Sequence, residues 1–337
     1  MLEAGYWKLD TGYWMLEAGC WMLGTGCPHY PLLITHYPFP VTHHPLSRFF
    51  AFSLSRMIEL APDHKFGLSI ATPVLPSAGT FGYGEAYRDL VDYRDLGALV
   101  TNPVSLRPRG AANPPRLAVR SETLLIHTGH PNPGLSAILR QYRELWERLG
   151  LPVILHVLAS SPAEMASVAD KLAGEPTLHG IELGLDEHTS AEKALALLRA
   201  LRLNSDLPVI VRLPFSEVAT LAGPLTEAGV DALTLTAPPR GLLPLLEDAD
   251  EGPPAFMRGR LYGPALLPLL LHELSHWAPR LPVPVIACGG IGSLEDARAC
   301  LALGAVAVQL DASIWRQPEL LHHIARELAH DSGNVPR

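Results

Sequence analysis

The sequence lacks the features that mark membrane, secreted and nucleic-acid-binding proteins. No stretch of about 18 apolar residues is free of charge, proline and glycine, which argues against a membrane span. No basic segment leads into an apolar core, so no secretory signal is expected. The 26 Lys and Arg form no runs, and 34 Asp and Glu leave a net charge of -8. We therefore expect a cytoplasmic protein without nucleic-acid or membrane partners.

Cysteine is scarce, and its spacing excludes a cysteine-based metal site. The four cysteines are Cys20, Cys27, Cys288 and Cys300, and no pair of them has metal-ligand spacing. Cys288 and Cys300 lie in apolar segments. We expect reduced core thiols and no metal centre.

Residues 1–56 differ from the rest of the chain because they repeat every seven residues. Gly5-Tyr6-Trp7 returns as Gly12-Tyr13-Trp14, and later repeats contain His-Tyr-Pro. Glycine or proline in nearly every repeat breaks the helix that a coiled coil needs. The repeats also carry His29, His36, His43 and His44, which we attribute to the repeat composition rather than to metal binding. We expect a disordered arm, a natural start at Met57 and a folded domain over 57–337.

From Met57 on, short apolar runs alternate with helical patterns. The predicted strands are Pro73–Ala78, Ala98–Asn102, Val153–Leu158, Gly180–Leu185, Val209–Leu213, Ala232–Thr236, Val285–Cys288 and Ala305–Leu310. The predicted helices are Glu85–Leu96, Leu135–Leu149, Pro162–Leu172, Ser190–Arg202, Glu217–Ala228, Pro264–Trp277, Leu294–Leu303 and Pro318–Ala329. Eight such units over roughly 270 residues predict an α/β protein, a TIM (β/α)8 barrel. No GxGxxG turn follows an early strand, which disfavours a Rossmann fold.

One segment of the barrel pattern also predicts a ligand. Gly289 and Gly290 follow a buried strand, and Ser293 is a ready N-cap for the next helix. Adjacent glycines let a backbone approach a ligand, and their N–H groups beside a helix N-terminus suit an anion. The last units of a (β/α)8 barrel commonly hold a phosphate in this way.

Six segments, in order along the barrel, together resemble the dihydroorotate dehydrogenase family of flavin-binding barrels. They are SAGTFGYGEAY (Ser77–Tyr87), the proline-rich Leu96–Arg116, TGHPNPG (Thr128–Gly134), YGPA (Tyr262–Ala265), IACGGIGSLEDA (Ile286–Ala297) and GAVAVQL (Gly304–Leu310). The resemblance implies a barrel of the FMN-linked oxidoreductase type. It also implies a flavin-dependent dehydrogenase acting on a CH–CH group, with hydride transfer from dihydroorotate to FMN in pyrimidine biosynthesis.

The same resemblance assigns residues to the cofactor. It implies that FMN contacts Ala78, Gly79, Thr80, Asn102, Arg212, Gly263, Gly289 and Gly290. Asn102 and Arg212 stand where the family has lysines, and Arg212 keeps the positive charge that stabilises an anionic reduced flavin.

Other positions depart from the family pattern. The fourth-strand motif, with its catalytic loop residue, is replaced by Gly184-Leu185-Asp186-Glu187-His188-Thr189. Glu187 falls where the catalytic base belongs and is our predicted base, because a buried carboxylate is a competent one. Ile126 and Ala237-Pro238 replace polar substrate residues, and Asp311-Ala312 replaces the last phosphate loop.

Two hypotheses follow. The first is a flavin-dependent oxidoreductase of the dihydroorotate dehydrogenase type, acting on dihydroorotate or a related small molecule. The alternative is a catalytically silent barrel that binds a ligand or a partner. A homodimer stays open under either.

Overall fold

A computed structural model of the chain describes residues 57–245 and 255–333, with side chains up to 330. The predicted arm 1–56 lies outside the described residues, and the boundary at Met57 stays a prediction. The strands are β1 Ile58–Glu59, β2 Ser69–Ile70, β3 Val74–Pro76, β4 Leu99–Val100, β5 Val104–Ser105, β6 Leu117–Arg120, β7 Thr123–Ile126, β8 Val153–Leu158, β9 Gly180–Gly184, β10 Val209–Pro214, β11 Ala232–Ala237, β12 Arg240–Pro244, β13 Phe256–Tyr262, β14 Val285–Cys288 and β15 Ala307–Leu310. The helices are α1 Leu135–Leu149, α2 Pro162–Leu172, α3 Ala191–Asn204, α4 Val218–Glu227, α5 Leu267–Trp277, α6 Leu294–Ala302, α7 Ser313–Arg316 and α8 Leu320–Gly333.

Eight parallel strands form a nearly closed barrel, which confirms the predicted fold. Their order is β3-β15-β14-β11-β10-β9-β8-β4, and β5 extends the pairing of β8. The two ends of this sheet approach each other, since the N–H of Gly97 donates to the carbonyl of Val74 at 2.9 Å. Most residues of the barrel strands are apolar on both faces, because one face packs on the helices and the other fills the interior.

The helices begin where the sequence supplies N-caps. The hydroxyls of Ser161, Ser190 and Ser293 each accept a backbone N–H of the following turn. Glycine in the left-handed region follows α1 at Gly150. These caps set where each helix packs against its strand, and so where each loop leaves the barrel. No helix in the described part of the chain is long and apolar enough to cross a membrane.

The predicted helix Glu85–Leu96 is wrong. This segment consists of turns and a short 3-10 helix, Tyr93–Asp95. Tyr87 has φ +57°, a value that no α-helix accepts. Contacts between aromatic rings explain why the segment forms turns instead of a helix. Phe81 contacts both Tyr87 and Tyr93, and the Tyr93 hydroxyl donates to the carbonyl of Ala86 at 2.6 Å. Packing of the rings outweighs the helical pattern here.

A second, antiparallel sheet lies at the mouth of the barrel and has no counterpart in the sequence prediction. Its order is β12-β13-β7-β6. The hairpin β6–β7 comes from the long proline-rich connection after β5. In β12 exposed and half-buried residues alternate, which is typical of a sheet with one covered face. This sheet roofs the carboxyl ends of the barrel strands.

Candidate functional site

A cavity of 460 Å³ lies between the roofing sheet and the carboxyl ends of the barrel strands. Its floor includes Leu158, Gly184 and Leu185, at the ends of β8 and β9. Its roof includes Ile126 and Tyr262 from the antiparallel sheet. Volume and position are those of a small-molecule site in a (β/α)8 barrel.

Positive charge dominates the wall of this cavity. The cationic lining residues are Arg107, Arg109, Lys193, Arg240 and Arg260, against the carboxylates Glu164 and Asp186. The chain as a whole carries a net charge of -8, so the excess of cations is local. The same field acts on His130, whose pKa falls to about 4 through burial and then through the charges of His156, Arg260 and Arg109. The cavity therefore favours an anionic ligand.

Glu187, the predicted base, lies beside the cavity and is engaged in ion pairs. Its Oε1 accepts the backbone N–H of Arg240 at 2.6 Å, and its Oε2 lies 3.3 Å from Nε of Arg240. Nη1 of Arg260 is 4.0 Å away. The neighbouring Asp186 pairs with the same two arginines, and His188 is exposed. Glu187 thus links the loop after β9 to the antiparallel roofing sheet. Its catalytic role stays a prediction.

The three glycines predicted to hold a phosphate come together as a cradle. A β-carbon on Gly290 would stand 2.5 Å from the amide nitrogen of Leu267 and 3.0 Å from the carbonyl of Gly263. Gly263, Gly289 and Gly290 all have positive φ, from +72° to +145°. Only glycine fits Gly290, since both its conformation and its surroundings exclude a side chain.

The loop after β3 and the segment after β4 leave open space and polar groups without partners. Nothing lies within 4 Å of the position of a β-carbon on Gly79, whose φ is +98°. Thr80 is buried and donates to the carbonyl of Ser77 at 2.6 Å, beside the half-buried Ala78. The side-chain Oδ1 of Asn102 is buried and has no hydrogen-bond partner among the described residues.

Arg212 connects β10 to the turn of Gly289 and Gly290. Its Nη2 donates to Sγ of Cys288 at 3.0 Å, and that thiol lies 3.5 Å from the hydroxyl of Ser77. Burial raises the pKa of Cys288 to about 12, so the thiol stays protonated. Nε of Arg212 is buried without a partner in the described chain. The structure thus brings the first loop, Arg212 and the glycine turn together, and none of the eight predicted flavin residues lines the 460 Å³ cavity.

Asp311 occupies the amides of the predicted phosphate site. Its Oδ1 accepts the backbone N–H of Ala312 at 2.6 Å, and the N–H of Gly290 lies beside the same carboxyl group and lowers its pKa. Burial raises the pKa of Asp311, although these amides and the charge of Arg212 act in the opposite direction. An anion-binding turn is therefore filled by a side chain of the protein itself.

The sequence reasoning missed a polar cluster inside the barrel. Glu182 is fully buried, and its carboxylate binds Nδ1 of His156 at 2.6 Å, the hydroxyl of Thr234 at 2.9 Å and the amide of Gln309 at 2.7 Å. His156, Glu182 and Gln309 are each the one polar residue of an otherwise apolar strand, and Thr234 shares β11 with Thr236. That pattern was a usable signal, since a polar residue on a fully buried strand needs a partner inside the barrel.

Comparison with known proteins agrees with this architecture. The profile of the family described as dihydroorotate dehydrogenase matches residues 63–331. Dihydroorotate dehydrogenase A (fumarate) of Lacticaseibacillus paracasei is 32% identical over 280 residues, covering 78% of this chain and 95% of the relative. The catalytic subunit of dihydroorotate dehydrogenase B (NAD(+)) of Anoxybacillus flavithermus is 29% identical over 276 residues, covering 78% and 88%. Its counterpart in Pelobacter propionicus is 31% identical over 274 residues, covering 77% and 89%.

Proposed function

The chain belongs to the dihydroorotate dehydrogenase family, and from that premise we propose that it is a flavin-dependent oxidoreductase that uses FMN. Its substrate is dihydroorotate or a related small anion, oxidised at a CH–CH group as in pyrimidine biosynthesis. The family implies a flavin; the choice of FMN rests on the glycine cradle, whose shape suits a phosphate-bearing ligand.

The observation that carries this proposal is a pair of buried polar atoms without partners. Oδ1 of Asn102 and Nε of Arg212 belong to the strands that the family resemblance turns toward the flavin. Buried polar atoms without partners in a folded protein call for a ligand, because leaving them unpaired costs on the order of 1–3 kcal/mol each. With the open space above Gly79, they fit the ring and ribityl chain of a flavin.

The residues of this chain divide the work as follows. When bound, the flavin supplies a two-electron acceptor for hydride. Asn102 and Arg212 would hold and orient its ring, and the permanent charge of Arg212 would favour negative charge on it. The cations of the cavity, such as Arg109 and Lys193, attract the anionic substrate. The roofing sheet limits the access of water.

The phosphate end fits less well, and this supports a second candidate. Asp311 uses the amides of Gly290 and Ala312 that a phosphate needs, and its charge would oppose a dianion. Under the alternative, the barrel is catalytically silent and binds a small anion in the cavity without flavin chemistry.

We propose a cytoplasmic location on a separate ground. Cys288 and Cys300 are both free thiols, which suits a reducing compartment. A homodimer stays open.

Purified protein decides between the two candidates. The flavoprotein absorbs in the visible flavin bands and releases about one FMN per chain on denaturation. Anaerobic addition of dihydroorotate then bleaches it. Colourless protein that takes up no added FMN excludes the oxidoreductase and leaves the silent barrel, whereas coloured protein that dihydroorotate does not bleach retains the cofactor with a different substrate.

A further inference from the structure

His156 and Glu182 form a buried pair under the cavity floor. They are direct neighbours in the register of β8 and β9, and both side chains enter the barrel interior. His156 is 5% exposed and Glu182 is 0% exposed. The distance from Nδ1 to Oε2 is 2.6 Å. The backbone N–H of His156 is also held, by the hydroxyl of Thr101 at 3.1 Å.

The surroundings of Glu182 keep its carboxyl ionised. Burial acts to raise the pKa of Glu182, but the hydrogen bond and charge of His156, the charge of Arg212 and the Gln309 amide lower it to about 2. An ionised carboxylate only accepts hydrogen bonds, so Nδ1 of the imidazole carries the proton. Because Nδ1 keeps its proton toward Glu182, Nε2 is the ring atom at which His156 can exchange a proton.

Nε2 lies next to the cavity floor. A β-carbon on Gly184 would stand 2.5 Å from this atom, and Gly184 itself lines the cavity. Glycine at this position is what leaves space for the imidazole. Among the described residues the imidazole of His156 has one hydrogen bond, from Nδ1 to Glu182, and none at Nε2. A histidine with one nitrogen fixed by a carboxylate and the other unused has the arrangement of a general base.

We propose that His156, positioned by Glu182, accepts the substrate proton at Nε2. The inference rests on the proposed oxidoreductase function and names the proton acceptor of that reaction. A bound flavin would accept a hydride, with its two electrons, from one C–H bond of the substrate. The neighbouring C–H bond breaks, its electron pair forms the C=C bond, and its proton binds Nε2. The carboxylate of Glu182 stabilises the resulting imidazolium.

Charged groups from several neighbouring elements lie near His156. Glu182 faces it from β9, and Arg212 on β10 acts on the same carboxylate. Above the floor lies His130, which interacts with His156, and around it are Arg260, Arg109 and Asp186. The carboxylates of Asp186 and Glu187 pair with Arg240 and Arg260, so they compensate the arginines rather than act on the imidazole.

Rapid anaerobic reduction of the flavin-loaded enzyme by dihydroorotate tests the assignment. His156→Gln should retain its flavin content and slow reduction by about a hundredfold or more, within the range of general-base effects. Glu182→Gln should slow it by about tenfold and move the midpoint of the rate-against-pH curve to lower pH. His323→Gln, which changes an exposed histidine on α8, serves as the control and should not alter the rate.

Three results would overturn the assignment. The first is an unchanged reduction rate in His156→Gln. The second is a slower His156→Gln whose pH profile matches the wild type, which is a structural effect. The third is a Glu187→Gln variant that loses the pH dependence while His156→Gln keeps it, which returns the role to the loop carboxylate.

A measurement on the resting protein separates this inference from the flavin proposal. In protein with ¹⁵N-labelled histidine, the His156 signals are identified by their loss in His156→Gln. The expected form is protonated at Nδ1, with an Nε2 signal that moves when orotate is added. A proton on Nε2, or an Nε2 signal indifferent to orotate, contradicts the assignment. Colourless protein with the expected signals removes the oxidoreductase and leaves the His156–Glu182 geometry standing.

Discussion

The carboxyl group of Asp311 lies beside the backbone N–H of Gly290, which lowers its pKa, in the turn where the family resemblance expects a phosphate. Ala312 supplies a second amide to the same carboxylate at 2.6 Å. The glycine turn keeps the shape of an anion site, and a carboxyl group of the protein itself lies in it. Cofactor affinity should therefore depend on this side chain.

Asp311→Gly should tighten FMN binding. The substitution frees two amides and removes a negative charge that would cost roughly 1–4 kcal/mol near a dianion, depending on screening. We expect the dissociation constant to fall by at least about tenfold, measured by quenching of FMN fluorescence. Riboflavin is the matched control because it lacks the phosphate, and its affinity should change little. Equal gains for both flavins would show that Asp311 does not compete with the phosphate.

Gly184→Ala should displace the His156 imidazole. Its new β-carbon would stand 2.5 Å from Nε2 and 2.9 Å from Cδ2 of Leu158. Overpacking of this kind costs about 1–3 kcal/mol in the free energy of unfolding. Gly223→Ala is the control, since nothing lies within 4 Å of its β-carbon position in α4, and it should stabilise by roughly 0.5–1 kcal/mol. Urea unfolding compares the two variants. An equal change in their free energies of unfolding would mean that the His156 imidazole moves aside without cost.

Glu182→Gln should change how stability depends on pH. The folded pKa of Glu182 is about 2, below its ordinary value of 4.5, so its stabilisation is complete above pH 4.5 and declines as the pH falls toward 2. The difference in free energy of unfolding between wild type and variant should shrink by up to about 3 kcal/mol as the pH falls from about 6 through the folded pKa. Chemical unfolding at several pH values measures it, with the exposed Glu144→Gln as control. A gap that widens on acidification would contradict the assignment of an ionised Glu182.

Removing cavity cations should weaken the binding of orotate. Arg109 and Lys193 line the cavity, and neither has an ion pair within the described residues. We expect Arg109→Gln and Lys193→Gln each to raise the dissociation constant roughly threefold to tenfold at low salt, with a smaller effect as salt screens the field. Calorimetric titration measures both. Lys171→Gln, an exposed change in the last turn of α2, should leave affinity unchanged. Losses that persist undiminished at high salt would point to packing rather than charge.

Local sequence patterns were enough to predict the barrel, because each of its strands and most of its helices have a recognisable sequence pattern of their own. The bounds Val153–Leu158, Leu135–Leu149 and Pro162–Leu172 were predicted as they occur. The failure at Glu85–Leu96 has a physical cause: Phe81 packs with Tyr87 and Tyr93, and ring contacts distant in helical register overrode the helical periodicity.

Only part of the candidate site could be predicted from the sequence. The glycines at 263, 289 and 290 were recognisable because backbone conformation is a local property that only glycine satisfies. Whether Glu187 or His156 faces a substrate is not local. It depends on Arg240 and Arg260, brought by the roofing sheet, which tie up the loop carboxylate.

What the amino-acid sequence determined by itself is the alternation of strands and helices, the glycine turns and the family, since these follow from short-range periodicity and motifs. Only the tertiary structure decided the partners: Asp311 with Gly290, Glu187 with Arg240, and His156 with Glu182. The reason is that a charge inside a barrel is stabilised by groups from other strands, and closure of the sheet chooses those groups.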